Sequence, residues 1–467
     1  MPRLRSWVDA SRARLFPRST WKNNVLCGLG VLAERRLPAP VRGYLDLQRE
    51  PEVLAEAAFH ELARHRVQQV AIHNLEQERG RSAFEDLLLT RLRDASARYA
   101  QKTLARTLGI VGSRAEAAGG IWIKGVAVEA CYPHPFARTS HDVDLVVPGF
   151  EQLWRFLADV EDLYQFQRIK VYQYPAGRYG GSVELVPRSP ELHLKRVDVS
   201  VGGFHLWGAS AFRADLWLRS RVVDGHRVPS WEDTLLIMAG HVATQWHYRL
   251  RDLNDLWALL HGVGPQLDWD YVIRMARSEG LLALIGILLR ECERVYGKPL
   301  PGVPQELRVG ARLVDRAFAT YNFGETNVVV GALEQTRFLV PRYSRDFGPL
   351  RGTYEALRNG AHLVRFRRRA FYAGPERRRR KIGPNEVLVL VRTAPPDPSV
   401  PWDSLGGRSL GSPALRVVDE ATPEERFLTP YGTFAQASYQ GEVLSETAAP
   451  QRAGSTRESS RSAITPK

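Results

Sequence analysis

The chain has 467 residues, of which 44% are apolar and 25% charged, with a net charge of +14. That is ordinary globular composition, which excludes collagen-like, wholly disordered and disulfide-scaffold classes, and the length suits two or three domains. Cys27, Cys131 and Cys292 lie far apart with no CxxC spacing. They speak against a thiolate metal site or disulfide framework and fit a reducing cytoplasm. No apolar run approaches the roughly 20 residues of a membrane-spanning helix. No apolar stretch follows the basic N-terminus, so no secretory signal is read there.

The charge is concentrated. Residues 1–22 carry six basic residues against Asp9, giving +5, and residues 365–381 carry nine against Glu376, giving +8. Together they hold 13 of the 14 net charges. Such tracts are either solvated tails or contacts for an anionic partner, nucleic acid or a membrane surface. No RNP signature, zinc finger or helix-turn-helix accompanies them.

In chain order, residues 1–50 form a basic N-terminal segment. Residues 51–118 read as helical, from apolar residues at three- and four-residue spacing such as Leu54, Ala57, Ala58 and Leu62. Gly119-Gly120 ends that pattern, and residues 119–230 change texture. Ile121-Trp122-Ile123 is a short strand, Val126 to Cys131 one or two helical turns, and Tyr132-Pro133-His134-Pro135 a loop. Asp142 to Val147 is a strand stopped by Pro148-Gly149, and an amphipathic helix follows from Phe150. Leu192 to Val201 is a further strand in which valines 197, 199 and 201 alternate with Asp198 and Ser200. Residues 231–372 return to helix, with Ser230 and Asp233 marking the start. Residues 373–467 read as the basic tract and a mostly disordered, proline-punctuated tail, with Glu386 to Arg392 an isolated strand. A chain ending near residue 385 is therefore expected to stay a soluble core.

The chemistry sits in Lys124-Gly125 and in Arg138 to Leu145. Residues i and i+2 of a strand share a face, so Asp142 and Asp144 point one way and Val143 and Leu145 the other. Two carboxylates side by side repel unless a cation lies between them, and Mg2+ takes oxygen ligands of this kind. A third acid on a neighbouring strand would complete a site able to clamp the attacking and leaving oxygens of a nucleotidyl transfer. Asp198 fits by its alternation; Glu184 and Glu191 compete with it.

Ile-Trp-Ile-Lys-Gly, the Tyr-Pro-x-Pro-x-x-Arg loop and Asp-Val-Asp-Leu-Val-Val resemble the uncharacterised nucleotidyltransferase family of the polymerase-beta-like superfamily. Val197-Asp198-Val199 resembles its later acidic strand. Trp231 to His241 and Arg249 to Leu256 resemble its helical part. The resemblance spans roughly residues 50–300. It implies an α+β fold: a nucleotidyltransferase-like mixed sheet core with helical regions before and after it. Asp142, Asp144 and Asp198 would be the catalytic acids and the ligands of Mg2+ (or Mn2+). ATP or another NTP would be the donor, the products a nucleotidylated acceptor hydroxyl and pyrophosphate. Superfamily members usually have Gly-Ser at the turn after the first strand. Here Lys124-Gly125 precedes Val126; the glycine still admits close phosphate approach and Lys124 offers charge. Arg138 would contact the triphosphate or neutralise the Asp pair. The acceptor, whether small molecule, peptide or protein side chain, or RNA, is not set by the sequence. The tract at 365–381 is the expected contact for an anionic partner. The alternative is a catalytically idle fold that binds a nucleotide or a partner.

Overall fold

The computed structural model describes residues 50–308 apart from 101–103, 134–137, 139, 141, 167, 174–178, 203, 207–208, 212–213 and 246–247. It also describes parts of 25–45 and 344–357, and residues 387–395, 415–418 and 425–436. Both basic tracts, and residues 309–343 of the expected second helical region, lie outside the described residues.

Helices α1 (Pro51–Arg64), α2 (Gln68–Gln77), α3 (Ala83–Ala100) and α4 (Leu104–Ala117) come first. Their buried residues recur at helical spacing, as in Ala55, Ala58 and Leu62 of α1. The mixed region then runs β1 (Ile121–Ile123), α5 (Gly125–Glu129), β2 (Asp142–Val147), α6 (Phe150–Asp159), β3 (Tyr164–Gln165), β4 (Ile169–Gln173), β5 (Tyr179–Pro187) and β6 (Arg196–Val201). Two small hairpins follow, β7 (Phe204–Leu206) with β8 (Ala209–Ala211) and β9 (Arg221–Val223) with β10 (His226–Val228). Helices α7 (Trp231–Gln245), α8 (Leu250–Val263), α9 (Trp269–Ser278), α10 (Leu282–Tyr296) and α11 (Gln305–Arg308) complete this part. Ser230 starts α7 as expected, its Oγ accepting from the Asp233 N–H at 3.1 Å.

The main sheet has the order β1-β2-β6-β5-β4-β11-β14-β13-β12, where β11 (Val387–Ala394), β12 (Leu415–Val418), β13 (Glu425–Thr429) and β14 (Gly432–Gln436) come from the C-terminal part. β2 and β6 run parallel, and β1 pairs antiparallel with β2. Two cores lie on opposite faces. One gathers α1–α3, α7–α10 and the side chains Ile121, Ile123 and Val146. The other gathers α4, α6 and the opposite sheet face: Trp122, Val143, Leu145, Val197 and Val199. The sheet is thus covered by helix on both sides where β2 and β6 lie, which is the setting parallel pairing needs. Among the described residues no helix is long and apolar enough to cross a membrane.

The strand expected near Glu386 to Arg392 forms, but it is not isolated. β11 pairs with β4, Leu390 opposite Ile169, and with β14 on its other edge. Three more strands lie in the stretch read as mostly disordered. Their anchors are long-range: Phe434 is fully buried, with its ring 5.7 Å from Trp154 and 6.3 Å from Phe166. The β13–β14 turn is closed by Thr429, whose Oγ1 accepts from the N–H groups of Tyr431 at 3.2 Å and Gly432 at 3.1 Å. Composition averages over such contacts. A chain truncated after residue 385 loses β11–β14, bares the edge of β4 and uncovers Trp154 and Phe166. Its melting temperature should fall by several degrees and it should aggregate on heating; an unchanged melting curve in differential scanning fluorimetry would contradict this packing.

Candidate active site

On β2, Val143, Leu145 and Val147 are buried under α6, which leaves Asp142 and Asp144 on the other face, both half-buried. β6 repeats the alternation: Val197, Val199 and Val201 are buried, and Asp198 and Ser200 half-buried. In the parallel register Asp144 lies opposite Asp198. β5 flanks β6 on its far side with Glu184 opposite Asp198. Asp144, Asp198 and Glu184 therefore form one row, with Asp142 two residues along. Glu184 is exposed and held by Arg196 at 2.8 Å. Glu191 sits in a 3-10 turn (Pro190–Leu192) ahead of β6, which begins at Arg196 and not at Leu192. Of the three competing acids, the structure sets Asp198 beside Asp144.

Burial, then Asp144 and Asp142, push the Asp198 carboxyl up to about 7, against a partial pull from Lys124. At Asp142 burial also works upward, but Arg66, Lys124, Arg251 and Arg138 outweigh it and its pKa is lowered.

Lys124 supplies the cation nearest the row. Ile123 pairs with Asp144 in the β1–β2 register, so the next residue turns across it. Lys124 Nζ donates to Asp144 Oδ1 at 2.5 Å. Its backbone has φ 55° and ψ −109°, a conformation that favours glycine. This turn starts α5. A side chain at Gly125 would put Cβ 2.4 Å from Arg138 Nη1, so only glycine fits beneath that guanidinium.

Of the two roles expected of Arg138, a triphosphate contact or neutralisation of the Asp pair, the structure shows its charge helping to lower the Asp142 pKa. The Arg138 side chain is 5% exposed, and Nε and Nη2 donate to Asp255 Oδ1 and Oδ2 at 2.8 and 2.9 Å. Tyr132 donates its hydroxyl to the same Oδ1 at 2.5 Å. Burial works against the Arg138 charge, but Asp255 holds its pKa above the usual value. The fork-to-fork pair uses most of the guanidinium, so Arg138 braces the loop before β2 against α8 and backs Gly125. It is a positioning residue.

Further cations act on Asp142. Arg251 and Lys124 line a small, partly open cavity together with His241, Asp252 and Asp255. Burial, then Lys124, Arg251, Arg249 and Arg66, press the His241 pKa well below its usual value, so the ring is neutral. Arg66, Arg249 and Arg251 all act on Asp142 or on one another. Arg66 escaped the sequence reading because it lies at a helix end, 76 positions before Asp142, with no motif around it. Arg138 and Asp255 are 117 residues apart, and nothing in the sequence joins them.

The carboxylate oxygens of Asp142, Asp144 and Asp198 are the donors a hard divalent cation takes, and Asp144 and Asp198 lie opposite each other on adjacent strands. The donor chemistry fits Mg2+. As the side chains stand, no three His, Cys, Asp or Glu among the described residues close round one point, and Asp144 is held by Lys124.

Asp144 and Asp198 thus stand side by side on parallel strands next to the Lys124-Gly125 turn. The family model described as "Uncharacterised nucleotidyltransferase" matches residues 51–297, just over half of the chain, and the chain belongs to that family. No curated protein matches it. A solved structure, "Crystal structure of putative nucleotidyltransferase from H. pylori", is 12% identical, with 58% of this chain and 97% of that one covered at a TM-score of 0.27. A similarity of that size carries no argument.

Asp198 gives a pH test. An unfolded aspartate loses its proton near 3.8, whereas the folded one keeps it up to about 7. Between those values the folded state binds more protons, so this group makes stability fall as pH rises, and the penalty is complete above 7. In EDTA, Asp198→Asn should flatten that part of the slope and be more stable than wild type at pH 8 by up to about 4 kcal/mol. Equal pH slopes in chemical denaturation would contradict the crowding of acids at this position.

Proposed function

We propose that the chain is a nucleotidyltransferase that moves a nucleoside monophosphate from an NTP to an acceptor hydroxyl and releases pyrophosphate. The observation that carries this reading is the register that sets Asp144 against Asp198 on parallel strands next to the Lys124-Gly125 turn. Membership of the nucleotidyltransferase family supports it.

In this reading Asp142, Asp144 and Asp198 would hold Mg2+ (or Mn2+), which when bound neutralises phosphate charge and orients the α-phosphate. Gly125 leaves room for the Arg138 guanidinium at the start of α5, and in the same reading its backbone would meet the donor's phosphates. Lys124, once released from Asp144, would contact a phosphate oxygen. The acceptor oxygen attacks the α-phosphorus and forms a new O–P bond. The bond from the α-phosphorus to the bridging oxygen breaks, and pyrophosphate leaves with that electron pair. Asp198 is the acid set to take the acceptor's proton. Arg138 and Asp255 hold the loop and α8 in place while this happens.

One observation favours the second reading, an idle fold that only binds. The ammonium of Lys124 sits on Asp144, one of the acids a metal would need.

The two readings separate by label. Each of the four NTPs, labelled at the α- or the γ-phosphate, is incubated with the protein, Mg2+, total RNA and a panel of small acceptors. Transfer predicts α-label on one acceptor, or on the protein itself, and release of pyrophosphate. The double variant Asp142→Ala, Asp144→Ala should lower this by at least about 100-fold. Nucleotide binding without pyrophosphate release in any mixture would favour the idle fold.

A further inference from the structure

We propose that Arg66, Arg249 and Arg251 form a polyphosphate subsite that takes the β- and γ-phosphates of the donor, so that the N-terminal helical region contributes directly to the active site. The inference rests on the nucleotidyltransferase reading for the identity of the donor, but not for the presence of an anion site.

The geometry comes from three chain segments. The first turn of α8 docks on the end of α1: the Leu250 N–H donates to His65 Nδ1 at 3.2 Å and the Arg251 N–H to the His65 carbonyl at 3.3 Å. Arg66 follows His65, so this contact gathers Arg66, Arg249 and Arg251 at one corner. Asp142 lies within electrostatic reach of all three guanidinium groups. Lys124 and Arg251 line the same cavity.

The cations are not fully answered by protein. The Arg251 side chain is 8% exposed, and its Nη2 touches Asp252 at 3.3 Å. Among the described residues, Arg251 Nε and Arg249 Nη1 are buried without a hydrogen-bond partner. A buried guanidinium N–H without an acceptor is destabilising, and a phosphate oxygen is the acceptor that fork geometry fits best.

The backbone at Arg66 gives an independent sign. α1 ends in a paired motif: the Arg66 N–H donates to the Ala63 carbonyl at 3.0 Å and the Val67 N–H to the Leu62 carbonyl at 3.0 Å. The residue after the C-cap of such an end takes a left-handed conformation and is usually glycine. Here it is arginine with φ 55°. Among the described residues four non-glycine residues have positive φ, and two of them, Arg66 and Lys124, are cations that act on Asp142. Strain retained at a site where glycine would relieve it points to a function for the side chain.

That strain makes the test clean. Arg66→Gly removes the guanidinium and eases the backbone, so its melting temperature should equal or exceed that of wild type. Inorganic tripolyphosphate and ATP are titrated calorimetrically into the full chain, each with EDTA and with Mg2+. The proposal expects wild type to bind tripolyphosphate in EDTA, and expects Arg66→Gly and Arg249→Gln each to weaken it about tenfold or more. ATP should lose affinity in parallel, while AMP is little affected. Tripolyphosphate binding that is absent in wild type, or unchanged in both variants, overturns the subsite. If Arg66-dependent binding of tripolyphosphate is present but no nucleotidyl transfer occurs, the subsite stands and the enzymatic reading falls. Should Arg66→Gly fold poorly, Arg249→Gln alone decides.

Discussion

Like charges gathered on one face of a sheet need a counter-charge, and the rest of this structure is arranged around that need. The apolar alternation of β2 and β6 forces Asp142, Asp144 and Asp198 to one side of two parallel strands. Parallel pairing then fixes Asp144 opposite Asp198, whatever the side chains would prefer. The strands are held by the core on their other face, so the repulsion is sustained by burial of Val143, Leu145, Val197 and Val199. Cations come from three separate elements. Lys124 reaches in from the β1–α5 turn, and Arg66 and the α8 arginines reach in from the helical regions.

This arrangement also ties the helical regions to the sheet. The bridge between them is the buried pair of Arg138 and Asp255, joined by Tyr132. A buried ion pair adds little net stability over apolar packing, but losing one partner leaves an uncompensated buried charge. Its value here is placement. It fixes the loop before β2, seats a guanidinium over Gly125 and ties both to α8, the helix that carries Arg249 and Arg251 at its start. A side chain at Gly125 would collide with that brace.

Much of this was legible in the sequence where the signal was local. The period-two pattern of Val197, Val199 and Val201 gave the face of Asp198, and Pro148-Gly149 gave the end of β2. The short helix after Lys124-Gly125 and the helical run from Trp231 also follow from local pattern. What stayed hidden depends on distant partners. Arg138 looks like a phosphate ligand until Asp255, 117 residues on, is seen to engage it. Arg66 carries no motif; its role appears only when α8 docks on the end of α1. The C-terminal strands were masked by a proline-rich composition, although Thr429-Pro430-Tyr431-Gly432 between Phe427 and Phe434 is a hairpin signal that a closer reading of turns could have found. Burial of Phe434 against Trp154 is a long-range fact that no local pattern contains.

The central claim is that the acids of β2 and β6 make a metal-dependent nucleotide site. Its most direct test is the thermal stabilisation of the full chain by ATP, GTP, CTP and UTP, each with and without Mg2+, in wild type and in the double variant Asp142→Ala, Asp144→Ala. The account predicts a rise in melting temperature for at least one nucleotide, larger with Mg2+ than without, whose Mg2+-dependent part is lost in the variant. A rise that is the same with and without Mg2+, or that survives in the variant, would contradict it.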